Sequence, residues 1–268
     1  MHNNSMRLST SQLCGFLLLI LIVGFAYQLP LFISADPHQQ DLMAILLPPD
    51  QAHWLGTDHY GRDMFTRVMH GSALSIRLSV SAVVCAALPG IALGLIAAWC
   101  GGWVDKLISH LADAFMALPG LLLVLLVLAF APGKPELLFM GLALALWVEF
   151  FRVTRSLTQQ QLAMPYVEAC RLLGFQQSYL IRRIFLPALL PELLMIAGFS
   201  LSTALIAIAT LSAISVGLQP PTAELGTLIA DVMPYYADAP WLVLAPSVVI
   251  LLFLFSIQLI GGARQHGE

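Results

Sequence analysis

The chain has few charged residues. Asp, Glu, Lys and Arg make up 10% of its 268 residues, and hydrophobic residues make up 59%. Soluble domains average about 25% charged residues, and a soluble fold of this size cannot hide so much apolar surface. We therefore expect lipid to be the solvent for most of the protein. The net charge of −3 differs from the basic character of nucleic-acid-binding domains, so no nucleic-acid partner is expected.

Several motifs of catalytic and metal-binding proteins are also absent. The four cysteines form no CxxC pair, and three of them lie in or beside apolar runs, where cysteine behaves as a small hydrophobe. They are Cys14, Cys85, Cys100 and Cys170. The sequence contains neither the H-E-x-x-H motif of zinc proteases nor the G-x-x-x-x-G-K-[ST] phosphate-binding loop. These absences predict a chain with no catalytic residues, no metal site and no cofactor of its own.

Long apolar runs dominate what is present. A helix that crosses a bilayer needs about 20 mainly apolar residues, and six stretches approach or exceed that length. They are 12–33, 76–99, 108–131, 136–151, 186–216 and 241–261. Prolines at 89, 119 and 246 are expected to kink their helices. The pattern predicts an all-α integral membrane protein with about six spans.

The first apolar run has two interpretations. It is longer than the roughly 7–15 apolar residues of a signal peptide, which favours an uncleaved first span. The distribution of Lys and Arg then sets the orientation, because cytoplasmic segments carry an excess of them. An N-in, C-in arrangement places eight of the twelve basic residues inside. Two polar segments, 34–75 and 217–240, are then periplasmic, and 152–185 is the longest cytoplasmic segment.

Charges concentrate in the stretch EACRLLGFQQSYLIRRIFLP, residues 168–187. Pro165 is suited to the first position of a helix, and Gly174 is suited to ending that helix. A second helical piece then continues into the fifth span at Pro187. The sequence predicts a helix, a bend and a second helix on the inner face of the membrane.

The spacing in this stretch resembles the cytoplasmic motif of ABC importer permeases: E-A-A, three residues, Gly, nine residues, Ile, one residue, Leu-Pro. The matching residues are Glu168, Ala169, Cys170, Gly174, Ile184, Leu186 and Pro187. Cys170 replaces the second alanine with another small residue. The resemblance implies a type I importer permease fold, with a coupling helix near 165–183 that seats in a partner ATPase.

A second motif, HWLGTDHYGRDMFTRVMHG at 53–71, resembles the outer-face pattern of dipeptide, oligopeptide and nickel permeases. The matching residues are Leu55, Gly56, Thr57, Asp58, Gly61, Arg62, Asp63 and Arg67, with Thr66 in a serine position. The spacing of the carboxylates and guanidinium favours ion pairing within the loop. A rigid docking ledge for a periplasmic binding protein, a self-paired loop and a substrate contact all remain open for this segment.

Other ionisable residues suggest weaker hypotheses. His53, His59 and His70 supply imidazoles that suit nickel or zinc, but their spacing matches no compact ligand set. Glu149 falls deep in the fourth span, where a charged group is expected to face the interior or a partner. Asp113 either lines a pathway or pairs with a nearby arginine.

Together the resemblances imply the second permease subunit of an ATP-driven importer. Residues 1–75 form a first helix and periplasmic loop, and 76–268 form a five-helix core. The implied partners are a homologous permease, two cytoplasmic ATPases that bind ATP and Mg, a periplasmic binding protein and the lipid of a bacterial inner membrane. The cargo is nickel or a metal chelate, slightly favoured by the overall resemblance, or short peptides. The alternative is an ion-coupled secondary transporter.

Overall fold

The computed structural model describes residues 9–28, 36–130 and 134–262, and the described residues are almost entirely helical. Within these ranges five helices are long and apolar enough to cross a membrane, or six if a bent pair counts as one span. The end of the first predicted span, residues 29–33, residue 131, Arg7 and Arg264 lie outside the described ranges. The number of spans agrees with the sequence prediction.

Most of the helices follow one another with short connections, but the described residues 36–63, which precede the second helix, form turns and irregular backbone. The helices are α1 Thr10–Tyr27, α2 Met64–Cys100, α3 Gly102–Met116, α4 Gly120–Leu128, α5 Pro135–Leu162, α6 Pro165–Leu172, α7 Gln177–Leu180, α8 Leu186–Ala213, α9 Leu225–Val232 and α10 Pro240–Gly262. A π-helical turn, Ile181–Phe185, joins α7 to α8, and a 3₁₀ turn, Met233–Tyr235, follows α9. The short helices α6 and α7 lie between the spanning helices α5 and α8, and α9 lies between α8 and α10.

Two of the predicted spans have different bounds in the structure. The second begins at Met64 rather than near residue 76, so the end of the predicted 34–75 loop is helical. Asp63 explains the early start, because its Oδ2 accepts hydrogen bonds from the Thr66 backbone N–H at 2.8 Å and the Thr66 hydroxyl at 2.7 Å. A carboxylate at this position caps the first turn of a helix.

The third and fourth spans also differ from the sequence prediction. The third is broken at residues 117–119, and α3 and α4 meet at 82°. Pro119 has extended backbone angles, φ −55° and ψ 131°, which interrupt the helix more completely than a kink. The fourth span continues to Leu162, well beyond 151, since the polar residues 152–162 form helical turns rather than a loop.

The chain divides into two compact units. Among the described residues, one contains 9–28, 36–79, 134–135 and 202–262, and the other contains 80–130 and 136–201. This grouping differs from the division into residues 1–75 and a five-helix core at 76–268 that the sequence suggested. The five-helix core stays a prediction. The first unit has a core of Met64, Val68, Leu225, Leu228, Val232, Ala239 and Leu242.

Glycines allow close helix packing in the second unit. A Cβ on Gly90 would lie 2.6 Å from the Trp147 carbonyl oxygen, and one on Gly94 would lie 2.7 Å from the Thr154 Cβ. The spacing of small residues four apart is typical of helices whose backbones touch in membranes. The Gly90–Gly94 pair in α2 therefore serves as the packing surface for α5.

Candidate functional site

The outer-motif segment ends in a cluster of buried charges, which we call the ion-pair cluster. It contains Asp58, Arg62, Arg67 and Asp231, and the side chains of the first three are 1%, 2% and 1% exposed. The Arg62 Nε donates to Asp58 Oδ2 at 2.5 Å, and its NH2 group donates to Asp231 Oδ2 at 2.8 Å. Two cations and two anions therefore balance each other inside the first unit.

Arg67 completes the cluster at longer range. Its Nε lies 3.6 Å from Asp58 Oδ2, and its NH2 group lies 3.6 Å from Asp231 Oδ2. Its NH1 group donates to the Pro37 carbonyl oxygen at 3.2 Å. Buried charges are stable only when they are paired and hydrogen-bonded, so the cluster fixes the loop to the first turn of α2 and to α9.

The loop backbone positions Asp58 for this role. Gly56 and Gly61 have positive φ angles of 71° and 70°, and a Cβ on Gly61 would lie 1.7 Å from the Asp41 carbonyl oxygen. Asp58 Oδ1 accepts the backbone N–H groups of Tyr60 at 2.8 Å and Arg62 at 2.9 Å. Gly56 and Gly61 are thus required by tight turns, and Asp58 stabilises the turn at 58–62 through these two hydrogen bonds.

Thr57 ties the same segment to the preceding loop. Its hydroxyl donates to the Ala44 carbonyl oxygen and accepts the Leu47 backbone N–H at 2.9 Å. Thr57 and Asp63 also form an isolated antiparallel bridge. The motif residues Gly56, Thr57, Asp58, Gly61, Arg62, Asp63 and Arg67 therefore lie together in one folded unit.

The structure corrects one pairing and adds one partner. Asp63 does not join the arginines: it caps α2, and its Oδ1 lies 3.0 Å from His53 Nδ1. Asp231 was missed from the sequence, although an acidic residue in the apolar piece LIADV was a usable signal. Of the open interpretations of this segment, the internal contacts of these charges agree with a self-paired loop.

One group of possible metal ligands occurs among the described residues. Asp58, His59 and Asp231 have ligand atoms within 4.8 Å of one another. However, both carboxylates already bind the guanidinium of Arg62, and two nearby cations oppose the binding of a third. His59 packs flat against Tyr235, with ring centroids 4.9 Å apart. The donor set fits an ion-pair cluster better than a metal site.

A buried carboxylate supports the second outer segment. Glu224 is 0% exposed, and its Oε2 accepts the Thr227 N–H at 3.0 Å and the Thr227 hydroxyl at 3.1 Å. Its Oε1 accepts the Ser75 hydroxyl at 2.9 Å. Glu224 therefore caps α9 and ties it to α2, which holds Asp231 in reach of the ion-pair cluster.

The second candidate region is the helix–bend–helix at 165–187. The helix α6 begins at Pro165 and ends just before Gly174, whose φ is +79°. The Phe175 N–H donates to the Cys170 carbonyl oxygen at 3.1 Å, which is the 6→1 bond of a Schellman motif. The sequence correctly predicted both ends of this helix.

The helix α6 is anchored on one side and open on the other. Val167 is 0% exposed, whereas Leu172 and Leu173 are 85% and 76% exposed. Glu168 and Ala169 are also exposed, and Cys170 is half-buried. Two large leucines at the end of a helix, directed away from their own fold, form an apolar surface that a partner can cover.

The second half of the motif leads into the membrane helix α8. Leu180 and Phe185 are fully buried, and Phe185 meets the Trp99 ring edge-on at 5.5 Å. Ile184 is half-buried, and Leu186 and Pro187 are exposed. The Leu186 N–H donates to the Ile181 carbonyl oxygen, a π-type bond that widens this turn. The segment joins α6 to the fifth span through a buried anchor.

Two further ion pairs hold α5 to α3. Arg155 donates through Nε to Asp105 Oδ1 and through NH2 to Asp105 Oδ2 at 2.6 Å. Arg152 donates to Asp113 Oδ1 at 2.7 Å. Asp113 is thus paired with an arginine, one of the two roles that the sequence left open for it.

Comparisons with known proteins agree with these features. A family model described as "Binding-protein-dependent transport system inner membrane component" matches residues 90–263. The di/tripeptide transport system permease protein DppC of Pseudomonas aeruginosa is 36% identical over 254 residues, covering 92% of this chain and 84% of that protein. The oligopeptide transport system permease protein OppC of Bacillus subtilis is 30% identical, covering 92% of this chain and 81% of that protein.

A further relative and a solved structure extend the comparison. The probable D,D-dipeptide transport system permease protein DdpC of Escherichia coli is 35% identical, covering 91% of this chain and 81% of that protein. An inward-facing structure of the MetNI methionine ABC transporter matches with a TM-score of 0.59 at 16% identity. That match covers 75% of this chain and 95% of that chain. At this identity, the match to MetNI concerns the fold alone.

Proposed function

The chain belongs to the family of binding-protein-dependent transport system inner membrane components, and we propose that it carries short peptides as one permease subunit of an ATP-driven importer. It is a multi-pass membrane protein with the all-α fold of type I ABC importer permeases. Family membership argues against the ion-coupled secondary transporter considered from the sequence. The permease itself performs no catalysis in this proposal, since ATP and Mg are bound by separate subunits.

The cargo proposal rests on the relatives. Proteins 30–36% identical over most of this chain are named as permeases for dipeptides, tripeptides and oligopeptides. The slight preference for nickel drawn from the sequence has no support in these names. The only described group of possible metal ligands contains Asp58 and Asp231, which Arg62 and Arg67 together already neutralise. Short peptides are therefore the proposed cargo, delivered by a periplasmic binding protein.

The coupling proposal rests on one observation, the exposed end of α6. Leu172 and Leu173 are 85% and 76% exposed, whereas Val167 of the same helix is buried. We propose that this end of α6 seats in a cleft of a cytoplasmic ATPase subunit. Closure of the two ATPases on ATP then pushes α6, and the buried Phe185 and Leu180 pass the movement to α8.

Orientation and assembly complete the proposal. The N-terminus and C-terminus are cytoplasmic, as the excess of basic residues favours, and a homologous second permease completes the membrane part. In this arrangement the ion-pair cluster and α9 face the periplasm, where a rigid surface can receive the binding protein. The membrane is the inner membrane of a bacterium.

Site-directed cross-linking tests coupling and orientation together. In the assembled transporter, a photo-reactive probe is attached to Leu173→Cys or, as a control, to Tyr236→Cys, which is 57% exposed on the proposed opposite side. We expect cross-links to an ATPase subunit from position 173 and none from position 236. An ATPase cross-link from 236 alone, or labelling of 173 only from the periplasm, would contradict the proposal.

A transport assay tests the cargo separately. Proteoliposomes with the complete transporter and its binding protein are given radiolabelled di-alanine, tri-alanine or ⁶³Ni²⁺ with ATP inside. We expect uptake of the peptides that requires ATP, and no uptake of nickel. Uptake of nickel alone would overturn the choice of peptides but would leave the importer function standing.

A further inference from the structure

Glu149 is a charged residue at membrane depth that its own subunit does not cover. It lies in α5, a helix of 28 residues, Pro135–Leu162. A span of about 17–25 residues placed within this helix includes Glu149, and a span that ends at the cytoplasmic boundary near Arg152 places Glu149 in its last turn. Glu149 therefore lies inside the membrane wherever α5 is positioned. Its side chain is nevertheless exposed, between the buried residues Val148 and Phe150.

Glu149 belongs to a row of exposed polar residues, which we call the polar stripe. The stripe contains Glu149, Arg152, Ser156 and Gln160, all exposed. Their spacing of three and four residues places them on one face of α5. The exposed residues Met140 and Leu144 lie on a different face and are apolar, as contact with lipid requires. Glu149 thus continues into the span a polar face whose other members lie in the segment predicted to be cytoplasmic.

The charges of the stripe are not balanced. Arg152 is already paired with Asp113 at 2.7 Å, with side chains 49% and 63% exposed. Among the described side chains, no cation lies within 4.0 Å of Glu149, and the Ser200 hydroxyl reaches its Oε2 only at 3.5 Å. A charged residue within the membrane faces a water-filled path or a partner with which it pairs. Because the Arg152–Asp113 pair and the neighbouring Glu149 are all exposed, a water-filled path suits these charges better than a protein partner does.

We propose that Glu149 lines the aqueous path through the transporter and binds the α-ammonium group of the peptide in transit. This inference rests on the proposed peptide import. Every peptide with a free amino terminus carries that ammonium group at neutral pH, whatever its side chains. A single carboxylate therefore serves many cargo sequences, because it recognises the feature that they share.

The first test compares uptake by three variants in the complete transporter with its binding protein. Glu149→Gln removes the charge at nearly constant shape, Glu149→Asp keeps the charge, and Glu136→Gln removes an exposed charge in the first turn of α5. With radiolabelled di-alanine, we expect E149Q to lower uptake at least tenfold. We expect E149D to keep at least a third of wild-type uptake and E136Q to match the wild type. Uptake by E149Q within twofold of the wild type overturns the proposal.

A second test does not depend on the assembly of E149Q. Ala145→Cys, one turn from Glu149, is placed in a chain whose exposed cysteines at 14, 85 and 100 are replaced by serine. The labelling rate at position 145 is the rate of the Ala145→Cys chain minus the rate of the same serine-substituted chain with Ala145 retained. After each rate is divided by the rate of the same reagent with a free thiol in solution, we expect a trimethylammonium methanethiosulfonate reagent to react at least fivefold faster than the sulfonate reagent. Equal rates, or no labelling in any nucleotide state, would contradict an aqueous path that attracts cations.

The two tests separate this inference from the proposed function. If the wild-type transporter takes up no peptide, peptide import fails, while the labelling rates still report whether Glu149 faces a water-filled path. If the wild type takes up peptide and E149Q does so equally well, import stands and the role of Glu149 fails.

Discussion

Removal of Asp231 should destabilise the protein far more than removal of an ordinary surface charge. In the ion-pair cluster, Asp58 and Asp231 together balance Arg62 and Arg67. Asp231→Ala leaves the two guanidinium groups, 2% and 1% exposed, to share one carboxylate. Loss of one partner of a buried pair costs about 3–5 kcal/mol, because the remaining charge stays buried and uncompensated.

This cost is large enough to measure. For a protein of 150–250 residues, 1 kcal/mol corresponds to roughly 2–4 °C in melting temperature, so D231A should melt on the order of 6–20 °C below the wild type. The assay is thermal unfolding of the purified transporter in detergent. The matched control is Asp238→Ala, which removes an exposed carboxylate and should change the melting temperature by less than 2 °C, since surface substitutions cost at most about 0.5 kcal/mol.

A double variant tests the electrostatic reason itself. Arg67→Met together with Asp231→Asn leaves Asp58 paired with Arg62 and removes one charge of each sign. If unbalanced charge is the cause, this double variant should melt higher than D231N alone. Equal melting temperatures for D231A and D238A, or no recovery in the double variant, would refute the reasoning about the cluster.

Three further predictions concern glycines and a cap. The Cβ of Gly174→Ala would meet no atom within 4 Å, so the cost of this substitution is the roughly 1–2 kcal/mol of the left-handed conformation. Gly174→Ala should therefore lower peptide uptake, and Gly174→Asn should lower it less. Equal uptake by the two variants would contradict the need for a left-handed bend at this position. Gly94→Val, whose Cβ would lie 2.7 Å from Thr154 Cβ, should lower the melting temperature, unlike Gly24→Ala, whose Cβ meets only one atom at 4.0 Å. Glu224→Gln should cost about 1–3 kcal/mol in a thermal unfolding assay because a buried acceptor is replaced by a donor, and an unchanged melting temperature would oppose its capping role.

Local signals predicted the ends of α6 correctly. Pro165 and Gly174 act through their own backbone preferences, a fixed φ and access to positive φ, so neighbouring residues suffice to place them. The four-residue spacing of Gly90 and Gly94 likewise places both on one face of α2, but their packing against α5 follows only from the structure. Each of these features depends on fewer than ten consecutive residues.

Features that depend on distant residues were missed or misplaced. Arg62 and Asp231 are 169 residues apart, and no spacing rule joins them. The start of α2 was placed too late because the predicted span began only at the apolar run from residue 76. The structure shows Arg67 buried in the ion-pair cluster, which allows its turn to be helical. The 82° break between α3 and α4 was foreseen only as a kink at Pro119, since its angle is set by tertiary packing.

Three acidic residues show how the same chemistry takes different roles in this chain. Asp58 is buried and satisfied by backbone N–H groups and arginine, and Glu224 is buried and satisfied by a helix N-terminus and a serine. Both carboxylates therefore stabilise the fold. Glu149 has one weak partner at 3.5 Å and is exposed at membrane depth. A charge retained in so costly a position without compensation from its own subunit must obtain that compensation from water, a partner or the cargo, and this requirement makes Glu149 the residue to test for transport.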